Sequence, residues 1–461
     1  LLTTQATAFG KYPRGASSSA GFFFAPSSRS LTVKGNPGTE RMITINAYDY
    51  RGNILEATGL DSKKTVWLWG YGGTHPVARV QGSSWSGIKA YADTSALNTG
   101  QASAIASKLS SFRNRFTANA GVHVTTMTWK PLSGVASMTG PSGRTESFSY
   151  DALGRLVSSS FEGCTTASYT YSYGAEDGGN RVMATKYLSQ DGTQSNDTYT
   201  FYDRLGRPVE TLLAAASSVN GTQQDIITFT AYDDFGRESV QYAPTPVAVS
   251  SSRPAGTFAN KDQVAVQSFM FHDWDVYAYS EKTYEESPMG RMTEECGPGS
   301  PWHTRGKSTT TEHLVNEYTG VLSCGRYAMT TDVSITRLDQ YEAGTLNVTR
   351  TTDEDRNKTI EFTDKLGRRI LTRRFDGPTI LDTYYIYDDL GLLRYVLTPE
   401  ASAAMSANKT YNDSASPLST QAYIYKYDAK GRCISKKFPG TEAVLIRYDK
   451  ADRQVFTQDG I

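Results

Sequence analysis

Aspartate is the residue whose type and repetition first suggest chemistry in this sequence. It recurs in the pattern Tyr-Asp-x-x-Gly, first at Tyr48–Gly52. A glycosidase would need two carboxyl groups held roughly 5–10 Å apart across one sugar. Here Gly follows each Asp by three residues, which is the preference of a type I turn whose carboxylate accepts backbone N–H groups. The pattern therefore favours structural turns over the acids of an active site.

The pattern occurs six times, and four copies continue with Arg. The residues that we expect to form these turns are Tyr48, Asp49, Gly52, Tyr150, Asp151, Gly154, Arg155, Tyr202, Asp203, Gly206, Arg207, Tyr232, Asp233, Gly236, Arg237, Tyr387, Asp388, Gly391, Tyr427, Asp428, Gly431 and Arg432. Residues 363–368 form a degenerate copy without the Tyr, and residues 448–453 one without the Gly. Successive starts are 52 residues apart at Tyr150 and 21 apart at Tyr427. This variation excludes a rigid fixed-length module, so we expect insertions between copies.

Each copy predicts a β-hairpin. Apolar and polar residues alternate before the Tyr, as in Ile424–Tyr427, and this period of two is typical of a half-buried strand. The strand pattern resumes after Gly-Arg, as in Leu156–Ser160. We expect the Tyr ring to pack across strands while its hydroxyl reaches a polar partner, and the Arg to cover the turn or pair with the Asp.

The other candidate sites favour structural interpretations. Asp353–Asn357 resembles half of a calcium loop but lacks its Gly and its late Glu, and we expect a charged hairpin tip. Glu176–Asn180 predicts a turn, and Gly70–Gly73 a tight turn rather than a phosphate loop, because no helix pattern follows it. His272–Asp275 places an aromatic residue between two acids, which is a weak indication of a sugar or ion site. We therefore expect no catalytic, cofactor-binding or metal-binding residue, and no enzyme.

Composition narrows the class of protein. Lys and Arg number 47, and so do Asp and Glu, which argues against nucleic-acid binding and electrostatic membrane anchoring. No run of eighteen apolar residues predicts a membrane helix. The four cysteines contain no C-x-x-C pair, so a zinc site or disulfide framework is not expected. Because the chain opens on Leu1 without Met, we expect it to be part of a longer polypeptide.

The chain is predicted to contain four segments: an extended leading segment at 1–41, a first repeat block at 42–81, a partly helical insertion at 82–122 and a long repeat region at 123–461. Helical spacing is found at Gln101–Phe116, and a short helix is expected at Pro399–Ala407. Two Ser/Ala/Pro-rich stretches, Leu213–Asn220 and Pro244–Asn260, are predicted to be loops.

Repeated Tyr-Asp-x-x-Gly-Arg between short strands resembles the bacterial Rhs/YD-repeat family, which includes shell components of toxin complexes. Further blocks resemble large YD-repeat surface proteins: Tyr48–Glu56, Val66–Tyr71, Pro76–Ala78 and Thr125–Asp151. Residues 201–302 resemble the leading region of another Rhs-type group. The resemblance covers most of the chain from about Met42 onward. The chain departs from toxin-bearing members in having no Asp-Pro, and so lacks their self-cleavage motif.

The resemblance implies an all-β fold in which the hairpins form one long, spiralling antiparallel sheet, with one small helical insertion. It also implies a secreted or cell-surface, non-catalytic shell segment that encloses or presents another polypeptide, such as a C-terminal toxin or effector. Its partners would be flanking parts of the same polypeptide or that effector. The alternative is a surface adhesion module that binds glycan or protein through the insertion at 82–122 and the loop at Pro244–Asn260. Exposed aromatic clusters near these insertions would favour adhesion, whereas rings packed within the wall would favour a shell.

Overall fold

The computed structural model describes residues 3–13, 21–33, 39–59, 62–99, 102–116, 121–174, 176, 178–219, 221–428, 430–449 and 452–460. Contacts divide the chain into two units. Unit 1 comprises Thr3–Asp225 and Ala248–Phe258, and unit 2 comprises Ile226–Val247 and Ala259–Ile461. The predicted all-β class is confirmed, because 29 strands belong to one antiparallel sheet and three more form a small second sheet.

The first fourteen strands pair in sequence order, each antiparallel to the next. They are β1 (Thr3–Pro13), β2 (Phe22–Val33), β3 (Thr39–Tyr48), β4 (Ile54–Gly59), β5 (Lys64–Gly70), β6 (His75–Gln81), β7 (His123–Lys130), β8 (Gly134–Thr139), β9 (Thr145–Tyr150), β10 (Leu156–Phe161), β11 (Cys164–Ser172), β12 (Asn180–Tyr187), β13 (Ser195–Tyr202) and β14 (Pro208–Val219). Three helices lie between β6 and β7: α1 (Trp85–Ile88), α2 (Thr94–Thr99) and α3 (Ala102–Asn114).

The remaining strands are β15 (Thr222–Tyr232), β16 (Glu238–Tyr242), β17 (Thr245–Ala248), β18 (Tyr279–Tyr284), β19 (Met292–Cys296), β20 (Thr309–Val315), β21 (Gly325–Thr331), β22 (Ser334–Gln340), β23 (Asn347–Thr352), β24 (Lys358–Thr363), β25 (Arg369–Asp376), β26 (Thr379–Tyr387), β27 (Leu393–Leu397), β28 (Lys409–Asn412), β29 (Ala422–Tyr427), β30 (Cys433–Lys437), β31 (Ala443–Tyr448) and β32 (Gln454–Gln458). Helices α4 (Lys261–Phe271), α5 (Ser300–His303), α6 (Pro399–Ala403) and α7 (Leu418–Gln421) interrupt them. Strands β21, β22 and β28 form the small sheet.

Each unit has its own hydrophobic cluster. In unit 1 the cluster joins strands β5–β7 to the helices, with Leu68, Ile105 and Leu109 among its buried members. In unit 2 it is larger and lies between the small sheet and strands β23–β29, with Ile335, Phe362 and Leu371 at its centre. Strands β8–β11 lie outside both clusters, and none of their residues is buried. This part of the sheet therefore has no hydrophobic layer on either face.

The loop predicted at Leu213–Asn220 is wrong over its described residues, whereas the loop at Pro244–Asn260 is confirmed except for one short strand. Residues 213–219 continue strand β14; its register with β13 extends to the pair of Thr198 and Leu213, and beyond it the Ala215 N–H donates to Asp225 Oδ1. The stretch Pro244–Asn260 contains strand β17 and is followed by α4, an eleven-residue helix that the sequence did not predict. The helix begins with a capping box in which Asn260 and Gln263 bond reciprocally. The expected helices at 101–116 and 399–407 are present as α3 and α6.

Candidate functional site: the turn edge

Nine turns in the described residues share one hydrogen-bonding scheme around an Asp. The Asp N–H donates to the carbonyl four residues later, the N–H three residues later donates to the Asp carbonyl, and the carboxylate Oδ1 accepts from the N–H four residues later. The nine are Asp49, Asp151, Asp203, Asp233, Asp353, Asp364, Asp388, Asp428 and Asp449. One side chain thus replaces ladder bonds that a chain reversal would otherwise leave unmade.

The Arg that follows closes the turn from the side. In the Asp151 turn, Arg155 Nε donates to Asp151 Oδ2 at 2.7 Å, and the same distance is found for Arg207, Arg237, Arg368 and Arg432. The backbone N–H of Arg155 is the main cause of the lowered pKa of Asp151. Burial alone would raise the pKa of Asp428, but hydrogen bonds from Arg432 lower it overall. These two carboxylates are therefore held in their charged form.

Glycine at the fourth position supplies a left-handed backbone. Its φ lies between 77° and 90° in all seven glycine-bearing turns, a region that other residues enter at a cost of about 1 kcal/mol or more. Arg356 and Asp452 occupy this position in two turns with φ of 68° and 63°. The Asp353 turn was thus missed as a repeat because Arg356 replaces its Gly and Asn357 replaces its Arg. Asn357 Nδ2 nevertheless donates to Asp353 Oδ2 at 2.9 Å.

Within each unit the turns lie on one edge of the sheet, with the exception of the Asp353 turn in unit 2. Connections in a meander alternate between the two ends of the strands. Turns separated by an even number of strands therefore lie at the same end of the sheet. In unit 1 the turns β3–β4, β9–β10 and β13–β14 meet this condition. In unit 2 so do β15–β16, β24–β25, β26–β27, β29–β30 and β31–β32, whereas the Asp353 turn lies on the opposite edge. We call the side of the sheet where the strands end in these turns the turn edge of each unit.

Tyrosine hydroxyls join several hairpins on the turn edge to the strand before them. Tyr150 donates to the carbonyl of Val135 at 2.9 Å, and Tyr427 to that of Leu393 at 2.8 Å. Three more Tyr residues make the same contact with the beginning of the preceding strand: Tyr171 to Leu156, Tyr284 to Glu238 and Tyr448 to Cys433. The predicted polar partner of these hydroxyls is therefore a backbone carbonyl of the neighbouring hairpin.

Turn arginines complete the link by packing on the Tyr of the next hairpin. The guanidinium of Arg155 lies 4.3 Å from the ring centre of Tyr171, and that of Arg432 lies 4.9 Å from Tyr448. Arg237 over Tyr284 and Arg368 over Tyr387 repeat the arrangement. A cation over an aromatic face at such distances is attractive, by about 0.5–1 kcal/mol at exposed sites. Neighbouring hairpins are therefore coupled at their ends as well as through their ladders.

The other sequence candidates do not converge on a reaction centre. Tyr277 and Tyr279 pack on His303, whereas His272 lies at the end of α4, beside Asp273 and Trp274, whose φ values are 54° and 64°. Asp275 accepts from the Ser300 N–H and hydroxyl, so it fixes a loop. Asp177 lies outside the described residues. Gly72 and Gly73 form the tight turn between β5 and β6, with φ of 72° and 79°.

Among the residues that the structure describes, no group of three or more His, Cys, Asp and Glu side chains is arranged to hold a metal ion. Within the same ranges no helix has the length and apolar character needed to cross a membrane. At the turn edge the Asp carboxylates accept hydrogen bonds from donors of their own turn, as in Asp151. This arrangement is typical of a structural turn.

One protein family and several solved structures are similar to this chain. A family described as a domain of unknown function, DUF6443, matches residues 179–315. No curated protein is significantly similar to the chain. The crystal structure of TcdB2-TccC3 matches with a TM-score of 0.55 and 11% identity, covering 98% of this chain and 20% of that one. The chain shares the fold of the matched part of that structure.

A second crystal structure, TcdB2-TccC3-TEV, matches equally well, with a TM-score of 0.56 and 10% identity over 98% of this chain and 22% of that one. The chain thus spans about a fifth of the length of the structures it matches. At this identity the likeness supports the fold alone, the long antiparallel sheet that the repeats predict.

Proposed function

We propose that this chain is a non-catalytic wall segment of an Rhs/YD-repeat shell that encloses or presents another polypeptide. The observation that carries the proposal is the single-layer sheet at β8–β11, where no residue is buried on either face. Domains normally pack two layers around a core. A sheet that does without the second layer suits a thin wall with water on both sides.

The turn edge supplies the rigidity that such a wall requires. A single-layer sheet has little hydrophobic burial to stabilise it, and its exposed edge strands can pair with other chains. The Tyr and Arg contacts hold several hairpins to their neighbours. They therefore stabilise the wall in the direction perpendicular to its strands. In this proposal the repeated Tyr, Asp, Gly and Arg pattern is structural, the four segments of the chain are parts of one wall, and secretion or surface display follows from the shell role.

The alternative, adhesion through inserted loops, receives less support from the aromatic side chains. In the described part of the insertion, Tyr91 is half exposed but its ring packs edge-on against Phe116. Residues 249–258, which we call the strap, contain neither Tyr nor Trp, and Phe258 packs on the buried Phe201 with ring centres 5.2 Å apart. Neither insertion displays the cluster of exposed rings that would stack on a sugar.

The decisive experiment is the low-resolution shape of the natural polypeptide that carries these residues, by small-angle scattering or negative-stain imaging. We expect a hollow body with a lumen. A solid or flat elongated body without a lumen would refute enclosure and direct the search for a ligand to the inserted loops.

A further inference from the structure

The connection between β6 and β7 is far longer than the sheet requires. The turn between β9 and β10 takes residues 151–155, whereas this connection takes residues 82–122 and folds into α1, α2 and α3. A partly open cavity of about 250 Å³ lies between residues 90–93 and α3. At about 30 Å³ per water molecule it has room for roughly eight waters, or for an organic molecule of that size. The insertion therefore contains a space that the wall itself does not use.

The floor of the cavity is apolar. It is formed by side chains that are at most 5% exposed: Leu68 of β5, Leu97 of α2, and Leu109 and Phe112 of α3. Leu109 and Phe112 are three residues apart, so they lie on the same face of α3. Ser111 also lines the cavity, but its hydroxyl donates to the Ser107 carbonyl of its own helix at 3.1 Å. The floor thus offers hydrocarbon rather than hydrogen-bonding groups to a ligand.

The rim of the cavity is cationic. Lys108 and Arg115 both line it, and Asp93 is the acid beside them. Asp93 is already engaged, because its Oδ2 lies 3.1 Å from Lys108 Nζ and its Oδ1 accepts from the Ala96 N–H at 3.1 Å. The Arg115 guanidinium lies 5.9 Å from the ring centre of Tyr91, and no carboxylate of the described residues forms an ion pair with it. Two cations and one carboxylate leave the rim with one net positive charge.

From this arrangement we infer that the cavity binds a small monocarboxylic acid with an apolar body. The body lies on Leu109 and Phe112, and the carboxylate accepts hydrogen bonds from the Arg115 guanidinium, whose planar fork of donors matches a carboxylate. A sugar fits less well, because its hydroxyls would lose water against a floor without partners. Inorganic phosphate would leave the apolar floor unused, and nucleic acid would require several cations along its backbone.

This inference goes beyond the enclosing role, because it gives the insertion a ligand of its own and does not depend on what the wall surrounds. Small-molecule sites in proteins are typically apolar cavities in which a few polar groups fix the orientation of the ligand. Here Arg115 is the group that selects for charge, and the floor selects for an apolar body.

The test uses phenylacetate as the probe and phenylacetamide as a neutral analogue of nearly the same shape. Binding to the natural polypeptide that carries these residues is measured by saturation-transfer NMR titration. Arg115→Gln removes the charge at the rim, and Arg144→Gln, at an exposed arginine outside the cavity, is the matched control. Ser111→Trp places a large ring at the mouth of the cavity. Ser111, Arg115 and Arg144 are all exposed, so these substitutions displace no buried group, and thermal melts verify folding.

We expect phenylacetate to bind about tenfold more tightly than phenylacetamide, which is the order of one hydrogen bond to a charged group. Arg115→Gln should abolish this preference, Arg144→Gln should keep it, and Ser111→Trp should abolish the binding of both probes. Folded protein that binds neither probe, or binds both equally, would overturn the inference. So would a preference that survives in Arg115→Gln, or binding that survives in Ser111→Trp, because the probe would then occupy another place.

Discussion

The strap is fixed by a buried carboxylate, and removing that group is the sharpest perturbation that the structure offers. Asp225 is fully buried and accepts three hydrogen bonds: from Arg253 Nη1 at 2.8 Å, from Ala215 N at 2.8 Å and from Gly256 N at 3.1 Å. Three bonds to a charged acceptor at about 1.5 kcal/mol each agree with the roughly 3–5 kcal/mol lost when one partner of a buried ion pair is removed.

Asp225→Ala should therefore free the strap without unfolding the sheet. The reporter is the amide of Val249, which donates to the Gln223 carbonyl and does not touch Asp225. Since about 1.4 kcal/mol is a factor of ten, a loss of roughly 3 kcal/mol predicts hydrogen exchange about 100-fold faster there. Asp389→Ala, at an exposed carboxylate, is the matched control. Exchange at Val249 that stays at the wild-type rate in Asp225→Ala would show that the ion pair does not hold the strap.

Three further outcomes follow from the turns. Asp151, Asp203 and Asp364 have lowered pKa values in the folded chain, so the stability that these carboxylates supply is complete above about pH 5 and should fall as the pH drops from about 4 towards 2 in thermal melts. A flat melting temperature across that range would contradict this. Gly206→Ala should cost about 1 kcal/mol from backbone strain alone, and Gly256→Ala clearly more, because its Cβ would lie 2.5 Å from the Tyr199 ring; equal losses in denaturant titrations would contradict the contact. Tyr427→Phe should cost about 0.5–1.5 kcal/mol through the lost bond to Leu393, and no measurable loss would refute the link between hairpins.

The sequence predicts the turns because the hydrogen bonds that form them are local. Asp203, Gly206 and Arg207 lie within five residues, and their bonds are made inside that span. The irregular spacing also has a simple origin. The 52 residues from Tyr150 to Tyr202 contain one extra hairpin, β11–β12, whose turn lacks the motif, whereas the 21 from Tyr427 to Tyr448 span one hairpin.

The links between hairpins could not be predicted in the same way. Arg155 packs on Tyr171, sixteen residues away in a strand without a turn motif of its own, and only the register of the sheet brings the two together. Helix α4 was missed because Val266, Met270 and Phe271 give it apolar residues on its exposed side as well, which hides the one-sided pattern of a surface helix.

The placement of the Tyr-Asp turns on a single edge of each unit bears on how such genes change in length. Gain or loss of a whole hairpin moves the chain forward by two strands and returns it to the same edge, so every remaining Tyr and Arg finds an equivalent neighbour. Gain of one strand would send all later turns to the other side and reverse the direction of every strand that follows. Addition or removal of strands in pairs would therefore keep these contacts between hairpins intact, whereas an odd number of strands would break them.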